Sequence, residues 1–342
     1  MSKRISIKDI AEKVGASVTT VSFVVNGKAA EKNISKALTE KIKKVVAELG
    51  YQPSSLARSL RTGKSKIIGF LVDDISKPFF SEIAKFIDEK ASASGYKIIF
   101  SSTGNDQNRA AEILKIFQDR HVDGYIIALA EGIETEVINL INSGAPVVLF
   151  DRYLPELNVD YVLTDNFSST QNATRHLLDN KFDKIGFITI DTDQRQMLDR
   201  LAGYEEMIAP FHEPRVLKVK YENSASSQQQ IKNFISENPD LKALLFAANY
   251  LTMDGLKLSK NEEGNPLNNK AILSFDDFEL LEYVSPSITA VEQPIQDIAE
   301  YIIKLLIKKM NIQSTDRKPE PQMVKLGTKL NIRQSTAALQ NK

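Results

Sequence analysis

The sequence predicts an all-α head built as a helix-turn-helix, followed by a two-lobed α/β body whose parallel sheets are doubly wound. Three observations carry this. At 342 residues the chain exceeds what one hydrophobic core usually serves. Charge is segregated: the formal net charge is zero, yet residues 1–66 hold fourteen Lys and Arg against five acids, a net of +9 that the remainder balances. From Ile67 onward, short β-branched runs alternate with helical patterns, the signature of repeated βαβ units.

Composition narrows the function classes. An apolar fraction of 42% and a charged fraction of 26% describe an ordinary folded globular chain. With no cysteine, disulfides, thiolate zinc sites, iron-sulfur clusters and cysteine nucleophiles are excluded together, which suits a reducing compartment. Met1 to Asp9 carries Lys3, Arg4 and Lys8 with no apolar run behind them, and no stretch approaches the roughly 18 to 20 apolar residues of a membrane helix. A cytoplasmic protein with no membrane partner is expected.

In the head, Ser6 caps a helix with Ile10, Ala11 and Val14 on one face, and Gly15 ends it in a left-handed turn. Ser17 caps a second helix. At about 100° per residue, Val21, Val24 and Val25 converge on one side while Thr19, Ser22 and Phe23 project from the other. A third helix from Ser35 to Leu49 carries an apolar stripe of Ile42, Val45, Val46 and Leu49, and Gly50 stops it. Two short helices joined by Gly-Ala-Ser in a basic segment present the second helix to the major groove of DNA. After Pro53, the segment SSLARSLRTGK puts Leu56, Ala57 and Leu60 on one helical face but is too short to be stable alone. TGKS at 62–65 is not a phosphate-binding loop, because Arg58 stands where that loop needs glycine.

In the body, IIGFLVDD, KIIFSST, DGYIIALA and PVVLFD read as strands of a first lobe. KIGFITI, VLKVKY, ALLFAA and AILSFDD read as strands of a second. Their carboxyl ends should face a cleft, where ligands of doubly wound folds bind. The late segment ITAVEQ and the helix Pro294 to Met310 are expected to return to the first lobe.

IKDIAEKVGASVTTVSFVVNG (7–27) and ELGYQPSSLARSLRTGKS (48–65) closely resemble the start of the LacI/GalR repressor family. VDDISKPFFSEI, PVVLFDR, DNFSSTQNATRHLL, DRLAGY, FAANY and SFDD extend the resemblance over nearly the whole chain. It implies that Val18, Thr19 and Phe23 face base edges, that Ser17, Thr20, Ser22 and Asn26 contact phosphates, and that a hinge helix places Arg58 beside phosphates and wedges Leu60 into the minor groove. Phe23 stands where many relatives carry Arg, and offers only apolar contact, for instance to a thymine methyl.

For the body, the resemblance implies a periplasmic-binding-protein-like sensor. Phe79 and Phe80 fall at cleft aromatics, and Asp151, Asp165, Arg200, Asn249 and Asp276 at polar cleft positions. Asp276 suits two adjacent sugar hydroxyls and Arg200 donates to others. Local readings stay open: Phe79 and Phe80 as core, Asp165 as the cap of the helix that follows it. Two departures stand out. Tyr250 follows FAAN where an acid is usual, and GNPLNNK (264–270) lacks the usual Val-Pro pair, so a familiar ligand does not carry over.

The expected domains are a DNA-binding head (1–52), a hinge (53–65) and a ligand-binding, dimerising body (66–342), its first lobe about 66–163 and 293–323, its second about 164–292 and 324–342. The expected partners are a pseudo-palindromic operator, a small effector of carbohydrate type and a second copy of the chain. Only nine residues follow Arg333, too few for a tetramerising coiled coil. No cofactor or metal is expected. A bare sugar-binding module of periplasmic type shares such a body but lacks the head. An enzyme is disfavoured, because His121, His176 and His212 are scattered and no G-x-S-x-G elbow occurs.

Overall fold

The computed structural model describes residues 5–51, 59, 62–154, 157–259, 265–312 and 320–337. The chain divides into two compact units, Met1–Ser65 and Lys66–Lys342.

The first unit holds α1 (Ile7–Val14), α2 (Val18–Val25) and α3 (Lys36–Glu48). Ser6 and Asp9 form a reciprocal capping box, with Ser6 N donating to Asp9 Oδ2 at 2.7 Å. Gly15 adopts φ +71°, which a residue with a Cβ reaches only under strain, and this reversal starts the turn into α2. Ile10, Ala11, Val14, Val21, Val24, Ile42 and Val45 form the core. Lys41 Nζ donates to Val14 O at 2.9 Å, satisfying a carbonyl at the end of α1 from α3.

In the second unit, one sheet contains β1 (Ile67–Val72), β2 (Lys97–Ser102), β3 (Gly124–Ile127), β4 (Val147–Phe150), β5 (Asp160–Thr164) and β11 (Met323–Leu326). Its order is β2-β1-β3-β4-β5-β11, all pairs parallel. Helices α4 (Pro78–Ala93), α5 (Gln107–Asp119) and α6 (Glu134–Asn142) link its strands. Apolar cores lie on both faces, as the unbroken apolar runs of parallel strands require.

The other sheet contains β6 (Ile185–Ile190), β7 (Arg215–Val219), β8 (Ala243–Phe246), β9 (Ala271–Phe275), β10 (Thr289–Glu292) and β12 (Lys329–Asn331), in the order β7-β6-β8-β9-β10-β12. Among the described residues of this sheet, β12 alone runs antiparallel. Its helices are α7 (Asn166–Asp179), α8 (Arg195–Ile208), α9 (Ser224–Glu237), α10 (Asn249–Leu258) and α11 (Leu280–Tyr283). At Gly203 of α8 an added Cβ would collide with the Phe167 carbonyl oxygen, so glycine is what lets α8 approach α7.

Among the described residues the chain passes between the lobes three times: after β5, after β10 and after β11. The strand in ITAVEQ corrects the expectation from sequence. Thr289, Ala290 and Val291 pair in parallel with Leu273, Ser274 and Phe275, so β10 stays in the second lobe. Only α12 (Ile295–Met310) returns, burying Ile298, Ala299, Ile302 and Leu306 in the first lobe's core. β11 then extends the first sheet as far as Leu326.

Candidate functional site

In the head, α2 shows an exposed amino-terminal end. Ser17 Oγ accepts from Thr20 N at 3.0 Å and lies 2.8 Å from Thr20 Oγ1, so the cap and the first turn lock each other. Thr19 is exposed and Val18 is 41% exposed, so both side chains are open to solvent at the start of α2. Phe23 is half-buried, with Lys32 Nζ 5.6 Å from its ring centroid. Asn26 caps the helix by donating from Nδ2 to Ser22 O at 2.6 Å and to Ser22 Oγ at 3.3 Å. The structure therefore brings Ser17, Val18, Thr19, Thr20, Ser22, Phe23 and Asn26 onto one short helix and its caps. Arg58 and Leu60 lie outside the described residues.

In the second unit, a cavity of about 430 Å³ lies where the strands of both lobes end. Six of the seven cleft residues expected from sequence line it: Phe79, Phe80, Asp151, Arg200, Asn249 and Asp276. Phe80 serves both readings, since it also belongs to the first lobe's core, edge-on to Phe150 at 6.3 Å. Asp151 follows β4 with φ +63° and Asp276 follows β9 with φ +73°. Each lobe thus ends a central strand in a left-handed Asp, a backbone state held against its own preference, as at many binding sites.

Asp276 accepts from Gln293 Nε2 at 2.6 Å and from Asn249 N at 3.3 Å, the latter at the amino terminus of α10, where the helix dipole favours an anion. Gln293 Oε1 in turn accepts from Thr164 Oγ1 at 2.5 Å. Two of the inter-lobe crossovers, at Thr164 and Gln293, are thereby tied to the cleft carboxylate. Arg200 stacks on Phe275, 3.6 Å from the ring centroid, and donates from Nε to Asn166 Oδ1 at 2.8 Å and from NH1 to Ala247 O at 2.6 Å. Much of its fork is thus already held by protein. Burial pushes the Asp151 carboxyl above the usual carboxylate range, against the pull of Arg152 and Arg200.

Asp165 is the exception. It does not line the cavity: its side chain caps α7, with Oδ1 accepting from Ser168 N at 3.3 Å and Lys325 Nζ 3.3 Å away. Burial alone would raise its pKa, but the Ser168 hydrogen bonds and Lys325 outweigh it and hold the carboxyl below its ordinary value. The position immediately before Asn166 makes it a cap, which is the local reading left open above.

Sequence reasoning missed Asp73, Arg152, Gln196, Tyr221 and Gln293, and treated Tyr250 only as a departure. All line the cavity. Asp73, Arg152, Tyr221 and Gln293 each follow a strand within one or two residues, so the rule that ligands bind beyond strand carboxyl ends was the available signal. At the cavity's edge, Glu131 of the first lobe accepts from Thr192 Oγ1 at 2.8 Å and Gln194 Nε2 at 3.2 Å of the second.

Residues 65–305 match the family model described as periplasmic binding proteins and sugar binding domain of LacI family, and residues 6–54 match that of bacterial regulatory proteins, lacI family. The chain belongs to the LacI family. The ribose operon repressor of Halalkalibacterium halodurans is 29% identical over 339 residues, covering 98% of each chain. The transcriptional regulator KdgR of Bacillus subtilis is 30% identical over 336 residues, covering 96% of this chain and 97% of its own. Among solved structures, the lac repressor dimer bound to operator and the anti-inducer ONPF aligns with a TM-score of 0.83 at 19% identity, over 98% of this chain and all of that one. As a LacI-family member, the protein is a sequence-specific DNA-binding transcription regulator whose two-lobed body is its small-molecule sensor. Among the described residues no helix is long and apolar enough to cross a membrane.

Proposed function

We propose that this LacI-family protein is a cytoplasmic, dimeric repressor whose operator affinity is set by a small carbohydrate held between the lobes of its body. The observation that carries the reading is the convergence of Asp151, Arg200, Asn249 and Asp276 with Phe79 and Phe80 around one cavity at the strand ends of both lobes. Polar groups of both hydrogen-bonding senses orient hydroxyls while aromatic walls cover the apolar face of a sugar ring. The solved regulator CelR, complexed with cellobiose, shares the fold, with a TM-score of 0.68 at 23% identity over 97% of this chain and all of that one.

In this reading residues 1–52 are the DNA-binding head, 53–65 the hinge and 66–342 the sensor and dimerisation body. Val18, Thr19 and Phe23 read base edges, while Ser17, Thr20, Ser22, Asn26 and Arg58 contact phosphates and Leu60 enters the minor groove. The exposed Leu280 and Tyr283 on α11, 42% and 76% exposed, and Phe100 and Ile116 on the first lobe are apolar surface for a partner copy to cover. Ligand bridging Asp276 and the first lobe bears on Gln293 and Thr164 at the crossovers, so lobe closure and DNA affinity are coupled reciprocally.

The test is fluorescence anisotropy of a palindromic duplex at fixed salt, titrated with protein in the presence and absence of a panel of sugars. At least one sugar should shift operator affinity, and none should be turned over. No shift with any panel member would sink the sensor reading. Equal affinity for palindromic and random duplexes would sink the operator reading.

A further inference from the structure

A polar group of the cleft is positioned by the protein and left without a partner. Tyr250, in the first turn of α10, lines the cavity. Its ring is held from both lobes. Lys77 Nζ, at the start of α4 in the first lobe, lies 5.1 Å from the ring centroid, and Tyr221 of the second lobe meets the ring edge-on at 5.1 Å. Lys77 is itself fixed by Asp73, 2.5 Å from its Nζ. The two lobes together therefore set where the phenol sits.

What the held ring leaves open is its hydroxyl. Among the described residues, the Tyr250 hydroxyl makes no hydrogen bond. The charges that act on it are Arg200 and Asp276 of the second lobe and Arg152 and Asp73 of the first, two of each sign. Those four have protein partners. Arg152 NH1 donates to Leu129 O at 2.6 Å and to Asn105 Oδ1 at 3.0 Å, Arg200 is held by Asn166 and Ala247 O, Asp276 accepts from Gln293 and Asn249, and Asp73 pairs with Lys77. Burial pushes the Tyr250 phenol well above its usual value, so it keeps its proton and can donate as well as accept. A polar group drawn out of bulk water with no protein partner is unfavourable, and in a binding cavity a ligand hydroxyl supplies the missing hydrogen bond.

We infer that Tyr250 is a specificity-determining residue of the effector site: its hydroxyl hydrogen-bonds one hydroxyl of the sugar, and the cleft discriminates against analogues that lack that hydroxyl. The inference rests on the carbohydrate reading above. A site that places a polar group for one ligand hydroxyl disfavours the analogue without it, because the protein group is then left unpaired. Tyr250→Phe isolates this contribution. Phe keeps the ring beside Lys77 and Tyr221, and no protein hydrogen bond is lost.

The experiment is isothermal titration of the full chain, wild type and Y250F, with ribose, xylose, glucose, galactose, fructose and cellobiose, and then with the monodeoxy analogues of each sugar that binds. Urea denaturation of both proteins without ligand accompanies it. Y250F should bind the parent sugar about three- to tenfold more weakly than wild type, while one monodeoxy analogue binds both proteins equally and the urea midpoint is unchanged. Y250F binding the parent sugar as tightly as wild type, or losing the same factor on the parent and on every monodeoxy analogue, refutes the inference and keeps the carbohydrate reading. A lower urea midpoint for Y250F would show the hydroxyl engaged by protein and also refute the inference. No binding of any sugar by wild type refutes the carbohydrate reading and this inference together.

Discussion

Replacing Asp276 with Asn separates binding chemistry from scaffold, because the two residues match in size and both tolerate the left-handed backbone found there at φ +73°. In the wild type both carboxylate oxygens already accept from protein donors, Gln293 Nε2 and Asn249 N. Asn keeps one acceptor and turns the other position into a donor facing a donor. Gln293 relieves this by turning its amide, since Thr164 Oγ1, now a donor to Gln293 Oε1, is equally able to accept. The apo protein should therefore lose no more than about 1 to 2 kcal/mol. The effector loses more. A hydrogen bond to a charged acceptor contributes about 1.5 to 3 kcal/mol, so losing the charge at two hydroxyl contacts weakens binding by about 3 kcal/mol, more than a hundredfold in Kd. Calorimetric titration with the identified sugar reads the affinity, urea denaturation reads the stability, and operator binding without effector reads the head. A variant that binds effector within about threefold of wild type while unfolding far more easily would show Asp276 to be a structural strut, and the reasoning would fail.

Asp165→Ala should lower stability by about 1 kcal/mol through the lost cap of α7 and leave effector affinity unchanged; weakened effector binding would return Asp165 to the site. Because its folded pKa lies below the ordinary value, its contribution is present above the unfolded carboxylate range near pH 4 and is lost as pH falls through the folded value, so the wild-type and D165A denaturation midpoints should converge in acid. Gly203→Ala forces α8 away from the Phe167 carbonyl and should cost about 1 to 3 kcal/mol in urea denaturation; a change under about 0.5 kcal/mol would contradict the close approach. Phe23→Arg should move base preference toward guanine at one position of each half-site by about 1 to 3 kcal/mol in competition against substituted duplexes, and an unchanged preference would place Phe23 away from the bases.

Much of the head was legible in the residues themselves. Ser6, Gly15, Ser17, Ser35 and Gly50 act within about four residues of their own position, so caps and turns follow from the local string. The apolar stripes of α1 to α3 needed only the helical period to be matched into one core. In the body, unbroken β-branched runs announced parallel strands buried on both faces, and the FAAN and SFDD segments pointed to Asn249 and Asp276.

What the local string left open was decided by contacts between distant residues. Asp165 reads equally as a cap or a cleft carboxylate until α7 is placed, and Arg200 reads as a ligand fork until Asn166 and Ala247 take up two of its nitrogens. Gln293 carries no motif; it matters because the crossover after β10 brings it to Thr164 and Asp276. Sequence determined the elements, the segregation of charge and the family, because side-chain period and capping are short-range physics. The tertiary structure alone decided which strand ends meet, and with them the lining of the cleft, because two sheets joined by crossovers assemble that cavity from residues more than a hundred positions apart.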